Sequence, residues 1–312
     1  MNVYDQIAAN NRSTAIILLA FPVALFVLVI LLSIALVKAN ILPNYSFGTT
    51  LLIYLCTTLA AFLWIVISYR WGDSMILLSA SAYPVTFVGN RELYRLVENT
   101  AIMAGLPTPK IYLIHDESMN AFATGRKPEE ATIALTSGIV NKLDEVELQA
   151  VIAHELAHIG NRDTRLMMIT IAGIGCFIFI GQMLCRTAFQ GSGSSRGGGK
   201  AAIFLIALGI LCLIFGYLIA PILRFALSRR REFQADATAA KITRNPEALA
   251  RALSKISENS YVESLKANSL VGNMCIASPT ETSFLSKLYS THPPIGNRIA
   301  ALQSMMARGR AL

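Results

Sequence analysis

The chain has 312 residues, of which 54% are hydrophobic and 15% charged, with a net charge of +8 and a mean hydropathy of +0.52. A soluble domain carries about 25% charged residues, so composition excludes an ordinary soluble protein and predicts a membrane protein. The basic excess would suit nucleic acid, but the placement of the basic residues argues against that partner. Arg70, Arg162, Arg165, Arg224 and Arg229-Arg230-Arg231 all flank apolar runs, as basic residues do beside anionic headgroups.

Residues 1–11 carry no motif. Two uncharged runs follow, Ser13–Val37 and Ile41–Tyr69, each exceeding the roughly 20 residues a helix needs to cross a bilayer. Val37-Lys38-Ala39 loosely resembles a secretory cleavage site. The run before it has 25 uncharged residues, too many for a signal h-region of about 7–15, which predicts an uncleaved anchor. Residues 1–69 are therefore expected to form a transmembrane hairpin.

A polar segment occupies 70–165. Asn90–Ala104 places Leu93, Leu96, Val97, Ala101 and Ala104 at helical spacing, and Gly105-Leu106-Pro107 stops the helix. Three short strand-like runs come next, Ile111–Ile114, Ala121–Thr124 and Ala131–Thr136, with a turn over 125–130 between the last two. His115, at the end of the first strand, reads as structural or solvated. Asp144 is a plausible N-cap with Glu147 three positions on, which predicts a helix running to about Gly160.

That helix carries His154-Glu155-x-x-His158, using two of the four histidines in the chain. On a helix, residues four apart share a face, so both imidazoles can reach one metal ion, for which zinc is the best match. Glu155 cannot share their direction and is suited instead to take a proton from an activated water. Asp163, shortly after the motif, reads as a helix-end or interfacial charge.

A second hairpin is expected over 166–223, from the uncharged runs Leu166–Cys185 and Ala201–Leu223, of which the third run in the chain is the shortest. The connector Gly191–Gly199 (GSGSSRGGG) lacks a Gly-Lys-Ser/Thr signature and a preceding strand, so it is a flexible linker and not a phosphate loop. Five cysteines, mostly in apolar runs and never in CxxC spacing, indicate packing residues and not a thiolate site. An even number of spans places both polar segments on one side of the membrane, and the basic cluster after Leu223 favours the cytoplasm.

Residues 224–312 complete the chain. A catalytic zinc needs a third protein ligand, and no histidine occurs in residues 159–170, so a carboxylate is required from elsewhere. Glu232 is the candidate. Asp236, four positions on, lies on the same helical face and is placed to hydrogen-bond a ligating imidazole. The alternative is a solvated face on which both acids pair with Arg229, Arg230 or Arg231. Thr291-His292-Pro293-Pro294 is a rigid turn whose histidine is either incidental or a donor to an oxyanion.

His154-Glu155-Leu156-Ala157-His158, Glu232-Phe233-Gln234-Ala235-Asp236, Asn120-Ala121-Phe122-Ala123-Thr124-Gly125 and Thr291-His292-Pro293-Pro294 occur in the order and context of the HtpX family of membrane-bound zinc metalloproteases. The chain resembles that family over essentially its whole length and is more distantly similar to the CAAX prenyl proteases. The resemblance implies an α+β, predominantly helical membrane protein, with four transmembrane helices and a gluzincin-type metalloprotease domain holding a small β-sheet. It further implies an endopeptidase of the bacterial inner membrane that degrades damaged or unfolded membrane proteins, with its active site facing the cytoplasm.

Residue by residue, the resemblance implies one zinc ion bound by His154, His158 and Glu232, with Glu155 as general base and then proton donor. Asn120 and the strand Ala121, Phe122, Ala123 and Thr124 would pair with an extended substrate, giving affinity without demanding a sequence. His292 would support the oxyanion, with Arg298 a weaker companion. His158 lies eight residues before the third apolar run and Glu232 nine after the fourth. At roughly 1.5 Å per helical residue, both halves of the site would lie within about 12–14 Å of a span end.

Two other functional classes compete. A transporter needs ionisable residues or a polar path within its spans, and these runs hold no Asp, Glu, Lys, Arg or His. A non-catalytic zinc scaffold wants a fourth ligand and has no use for Glu155. A prenyl-peptide protease, the closer rival, would be expected to enclose its substrate with more than four spans.

Overall fold

The computed structural model describes residues 3–38, 47–191, 198–216, 220–258, 276 and 293–309. Their contacts divide the chain into two compact units. One comprises 1–11, 72–168 and 224–312, and the other 12–71 and 169–223.

The first unit is built on a four-stranded sheet of order β1-β2-β4-β3, from β1 (Tyr83–Pro84), β2 (Lys110–Ile114), β3 (Ala121–Thr124) and β4 (Thr132–Thr136). β2 and β4 run parallel, whereas β1 pairs antiparallel with β2 and β3 antiparallel with β4. β3 thus forms one edge. Gly125 ends it at φ 124, a conformation that disfavours any side chain, and an added Cβ would stand 2.7 Å from Ala131 Cα.

Between β1 and β2, α3 (Arg91–Ala104) starts where the Asn90 side chain accepts from Leu93 N and ends at Gly105, whose φ of 67 supplies a left-handed cap. After a short α4 (Ser137–Lys142), α5 (Glu145–Gly160) begins with a complete capping box between Asp144 and Glu147. From Leu148 to Ile159, all but one of the residues of α5 are buried. The helix has α3, α9 (Pro246–Glu258) and β3 around it. Ala150, Ala153 and Ala157 let these neighbours approach closely, and Val151, Ile152 and Leu156 fill the core. α10 (Ile295–Gly309) packs on α9.

The second unit is helical. α1 (Val3–Lys38) and α2 (Phe47–Ser79) are continuous helices over the first two apolar runs. Leu19, Leu52, Leu55 and Phe62 stand 70%, 60%, 58% and 56% exposed on them, the opposite of what water would select and what lipid would. α6 (Asp163–Gly191) and α7 (Gly198–Ile214) cross where Gly181 and Gly209 meet, each so close that a Cβ would stand under 3 Å from the other's carbonyl oxygen. Trp64 stacks on Phe179 within this unit.

Four spans are expected from the sequence. Among the described residues one helix, Asp163–Phe189, is long and apolar enough to cross a membrane on length and composition. In the fourth run α7 passes into a π-helical pair at 215–216 and α8 (Ala220–Thr243) starts at Ala220, while residues 217–219 lie outside the described ones. Most of the expected linker, 192–197, lies outside them as well.

Candidate metal centre

His154 and His158 project from the same face of α5, their rings edge to face with centroids 4.7 Å apart. Their Nε2 atoms lie 3.2 Å from each other. From α8, Glu232 brings Oε2 to 3.7 Å from His154 Nε2 and Oε1 to 3.5 Å from His158 Nε2. The three side chains are buried, and one ligand atom from each falls within 4.8 Å of the others.

Each imidazole turns its other nitrogen to a carboxylate. His154 Nδ1 is 3.0 Å from Asp236 Oδ1, and His158 Nδ1 is 3.0 Å from Asp163 Oδ2. Such pairing places the ring proton on Nδ1 and leaves the Nε2 lone pair pointing inward. With both imidazoles neutral, three acceptors would face one shared point in a dry site, which suits a cation. Two imidazoles and one carboxylate are a donor set that fits zinc and leaves room for a fourth, exchangeable ligand.

The two imidazoles differ in charge state. Burial holds His154 down at about 4, with the Arg298 and His158 charges adding to it against the pull of Asp236, so its imidazole is neutral at physiological pH. Burial opposes charge on His158 too, but the Asp163 hydrogen bond and the Glu232 and Asp163 charges outweigh it and lift the group to about 9. In the metal-free protein His158 therefore keeps a proton at neutral pH, and metal must displace it. Apparent zinc affinity is expected to rise by about tenfold per pH unit up to about pH 9, one proton leaving per ion bound. Competition titrations against a calibrated chelator at several pH values check this, and a flat profile would remove His158 from the ligand set.

Glu155 stands next to this cluster, buried, and accepts a hydrogen bond from the backbone N–H of Ala123. Burial raises it to about 7, with the His158 charge opposing and the Glu232 charge adding. A carboxyl near neutrality is suited to accept and return a proton. The link to Ala123 follows from the ladder. The Asn120 carbonyl accepts from Thr136 N, so by antiparallel alternation Ala121 and Ala123 turn their backbone groups to the outer edge of β3.

That outer edge is partly taken. Ile276 N donates to the Ala121 carbonyl at 2.8 Å, a contact the sequence does not suggest. Asn120, Ala121, Phe122, Ala123 and Thr124 are all buried, so the strand predicted to meet substrate is enclosed as it stands.

Two charged residues do more than expected. Asp163 is the helix-end charge the sequence suggests, first in α6, but it is not interfacial: it is buried against His158 and also accepts from Asn10 Nδ2 at 2.7 Å. Asn161 ends α5 and Arg162 takes φ 59, and this left-handed step turns the chain so that Asp163 faces back along the helix it has just left. Arg298, fully buried, donates from Nη2 and Nε to the two oxygens of Asp236 at 2.7 and 2.9 Å and from Nη1 to the Ile276 carbonyl at 3.0 Å. Its guanidinium braces the acid that meets His154, and Nη2 also comes within 3.4 Å of His154 Nε2. His115 is exposed and stacks on Tyr83. His292 lies outside the described residues.

Residues 88–306 match the family model described as peptidase family M48. A protease HtpX homolog of Bacteroides fragilis is 36% identical over 97% of this chain and 98% of its own length. Homologs of the same name from Dictyoglomus thermophilum and Listeria monocytogenes are 37% and 38% identical over 99% and 97% of this chain. Among solved structures, that of S. mikatae Ste24p superposes with a TM-score of 0.51 at 23% identity, covering 82% of this chain and 58% of that one, which relates the two folds.

Proposed function

This chain belongs to peptidase family M48, and from that premise we propose that it is a zinc-dependent endopeptidase of the bacterial inner membrane, acting on unfolded or damaged membrane proteins. The observation that carries the reading is the convergence of His154, His158 and Glu232 beside a buried Glu155 whose carboxyl is tuned close to neutrality. A structural zinc site has no need of that carboxyl.

In this reading His154, His158 and Glu232 hold one zinc ion. Bound there, zinc supplies Lewis-acid activation of water and of the scissile carbonyl. Glu155 takes the proton of the attacking water and returns it to the leaving nitrogen. Asp236 and Asp163 hold the imidazoles in the ligating tautomer, and Arg298 holds Asp236. His292 donates to the oxyanion. A substrate strand pairs along Asn120–Thr124, and at Ala121 it takes the position occupied by Ile276 N. Main-chain pairing explains why unfolded stretches, whatever their sequence, are suitable substrates.

The membrane arrangement belongs to the same proposal. Residues 1–69 and 166–223 form two hairpins, and 70–165 and 224–312 form the proteolytic part in the cytoplasm. The exposed leucines of α1 and α2 support lipid contact. Purified in detergent, the full chain is expected to carry one zinc per chain and to cleave an unfolded polypeptide. A chelator abolishes cleavage and added zinc restores it. Zinc-loaded protein that cuts neither unfolded polypeptides nor a destabilised membrane protein would favour a non-catalytic scaffold.

A further inference from the structure

We propose that Asn10, in the stretch ahead of the first apolar run, is a positioning residue for the metal centre: it locks Asp163, and through Asp163 the ring of His158. The proposal rests on the zinc-site reading above.

Asn10 is buried, and its Nδ2 donates twice, to Asp163 Oδ1 at 2.7 Å and to the Asn161 carbonyl at 2.8 Å. Asp163 therefore divides its oxygens, Oδ1 to Asn10 and Oδ2 to His158 Nδ1. Arg231 Nε, at 3.6 Å from Oδ1, contributes charge without a hydrogen bond of normal length. A carboxylate buried beside an imidazole can rotate about its χ2 unless its second oxygen is held, and rotation would release Nδ1 and let the ligand ring swing.

The same amide also clamps the turn that presents Asp163. The carbonyl it binds belongs to Asn161, which ends α5, and the next residue is the left-handed Arg162. One side chain thus fixes both the carboxylate and the strained link behind it. The chemistry is specific to an amide. Aspartate at this position would set two carboxylates against each other in a dry site, and alanine would leave Oδ1 without its donor.

The consequence is that metal affinity depends on the extreme N-terminal segment, more than 150 residues away along the chain. Asn10→Ala and the near-isosteric Asn10→Asp test this in the full-length protein in detergent. Thr14→Val is the control, one turn further along α1, where a buried hydroxyl has no hydrogen-bond partner. The readouts are zinc retention against a graded chelator, the visible absorption band of the Co²⁺-substituted protein, and the melting temperature of the metal-free protein. Both Asn10 variants are expected to lose about 10–100-fold in zinc affinity and to shift the cobalt band, with Thr14→Val matching wild type.

Wild-type zinc affinity and an unchanged cobalt band in the Asn10 variants, even with a lowered melting temperature, would make Asn10 a structural residue and overturn the proposal. Failure of the underlying reading looks different: wild-type protein would then retain no zinc that His154→Ala removes, and the role of Asn10 would fall with it.

Discussion

Glu155→Gln is expected to leave zinc bound and remove peptide-bond cleavage. The substitution keeps size and shape in a site where Glu155 is 3% exposed, so there is no cavity to fill and no ligand to lose. The amide can still take a hydrogen bond on its oxygen from Ala123 N–H. It cannot accept the proton of an attacking water or return one to the leaving nitrogen. General-base removal alone costs about 10²–10⁴ in rate, and here one group serves both proton transfers, which puts the loss at the upper end. The check is kcat/KM on an unfolded polypeptide together with metal content. Zinc-loaded Glu155→Gln that cuts at a rate near wild type would exclude Glu155 as the base.

A pH dependence follows with a defined sign. The base must be ionised to act, and burial puts Glu155 at about 7 in the metal-free site. A dication on the neighbouring imidazoles stabilises the carboxylate, so in the loaded enzyme the acid limb of kcat/KM lies below that value. Cleavage falls as pH is lowered through that limb.

What the sequence makes legible is local and periodic. The i, i+4 rule puts His154 and His158 on one face, and the capping box at Asp144 and Glu147 marks where their helix begins. Glu232 and Asp236 are found the same way, since the search for a third ligand already specifies a carboxylate on a helix. The groups that tune the site are not periodic. Asp163 lies only five residues after His158, yet it reaches Nδ1 because Arg162 steps into the left-handed region, which an arginine does not announce. Asn10 and Ile276 meet the site across 153 and 155 residues respectively, and no spacing rule spans such distances. Uncharged composition has a limit of its own: it marks Ala201–Leu223 as one run but cannot show that α-helical geometry gives way to a π-helical pair at 215–216 within it.

Arg298→Met is expected to destabilise the protein by about 3–5 kcal/mol, because it leaves the buried carboxylate of Asp236 without its main counter-charge. Arg298 is among the largest fully buried side chains, and its two hydrogen bonds to Asp236 are short and parallel. Burial by itself would raise Asp236, but the Arg298 charge and hydrogen bonds, with help from His154, depress it to about 2. A depressed carboxyl stabilises the folded state above its unfolded value, near 3.8, and the contribution fades as pH falls towards 2. The stability gap between wild type and Arg298→Met should therefore be widest at neutral pH and narrow on acidification. Pairing the change with Asp236→Asn removes the stranded charge, so the double variant recovers most of the melting temperature. It should not recover metal, since His154 Nδ1 then faces an amide in place of a carboxylate. Thermal melts and zinc retention on the two variants separate these effects. A single variant as stable as wild type would deny the ion pair its structural role, and a double variant with wild-type zinc affinity would show that Asp236 does not orient His154.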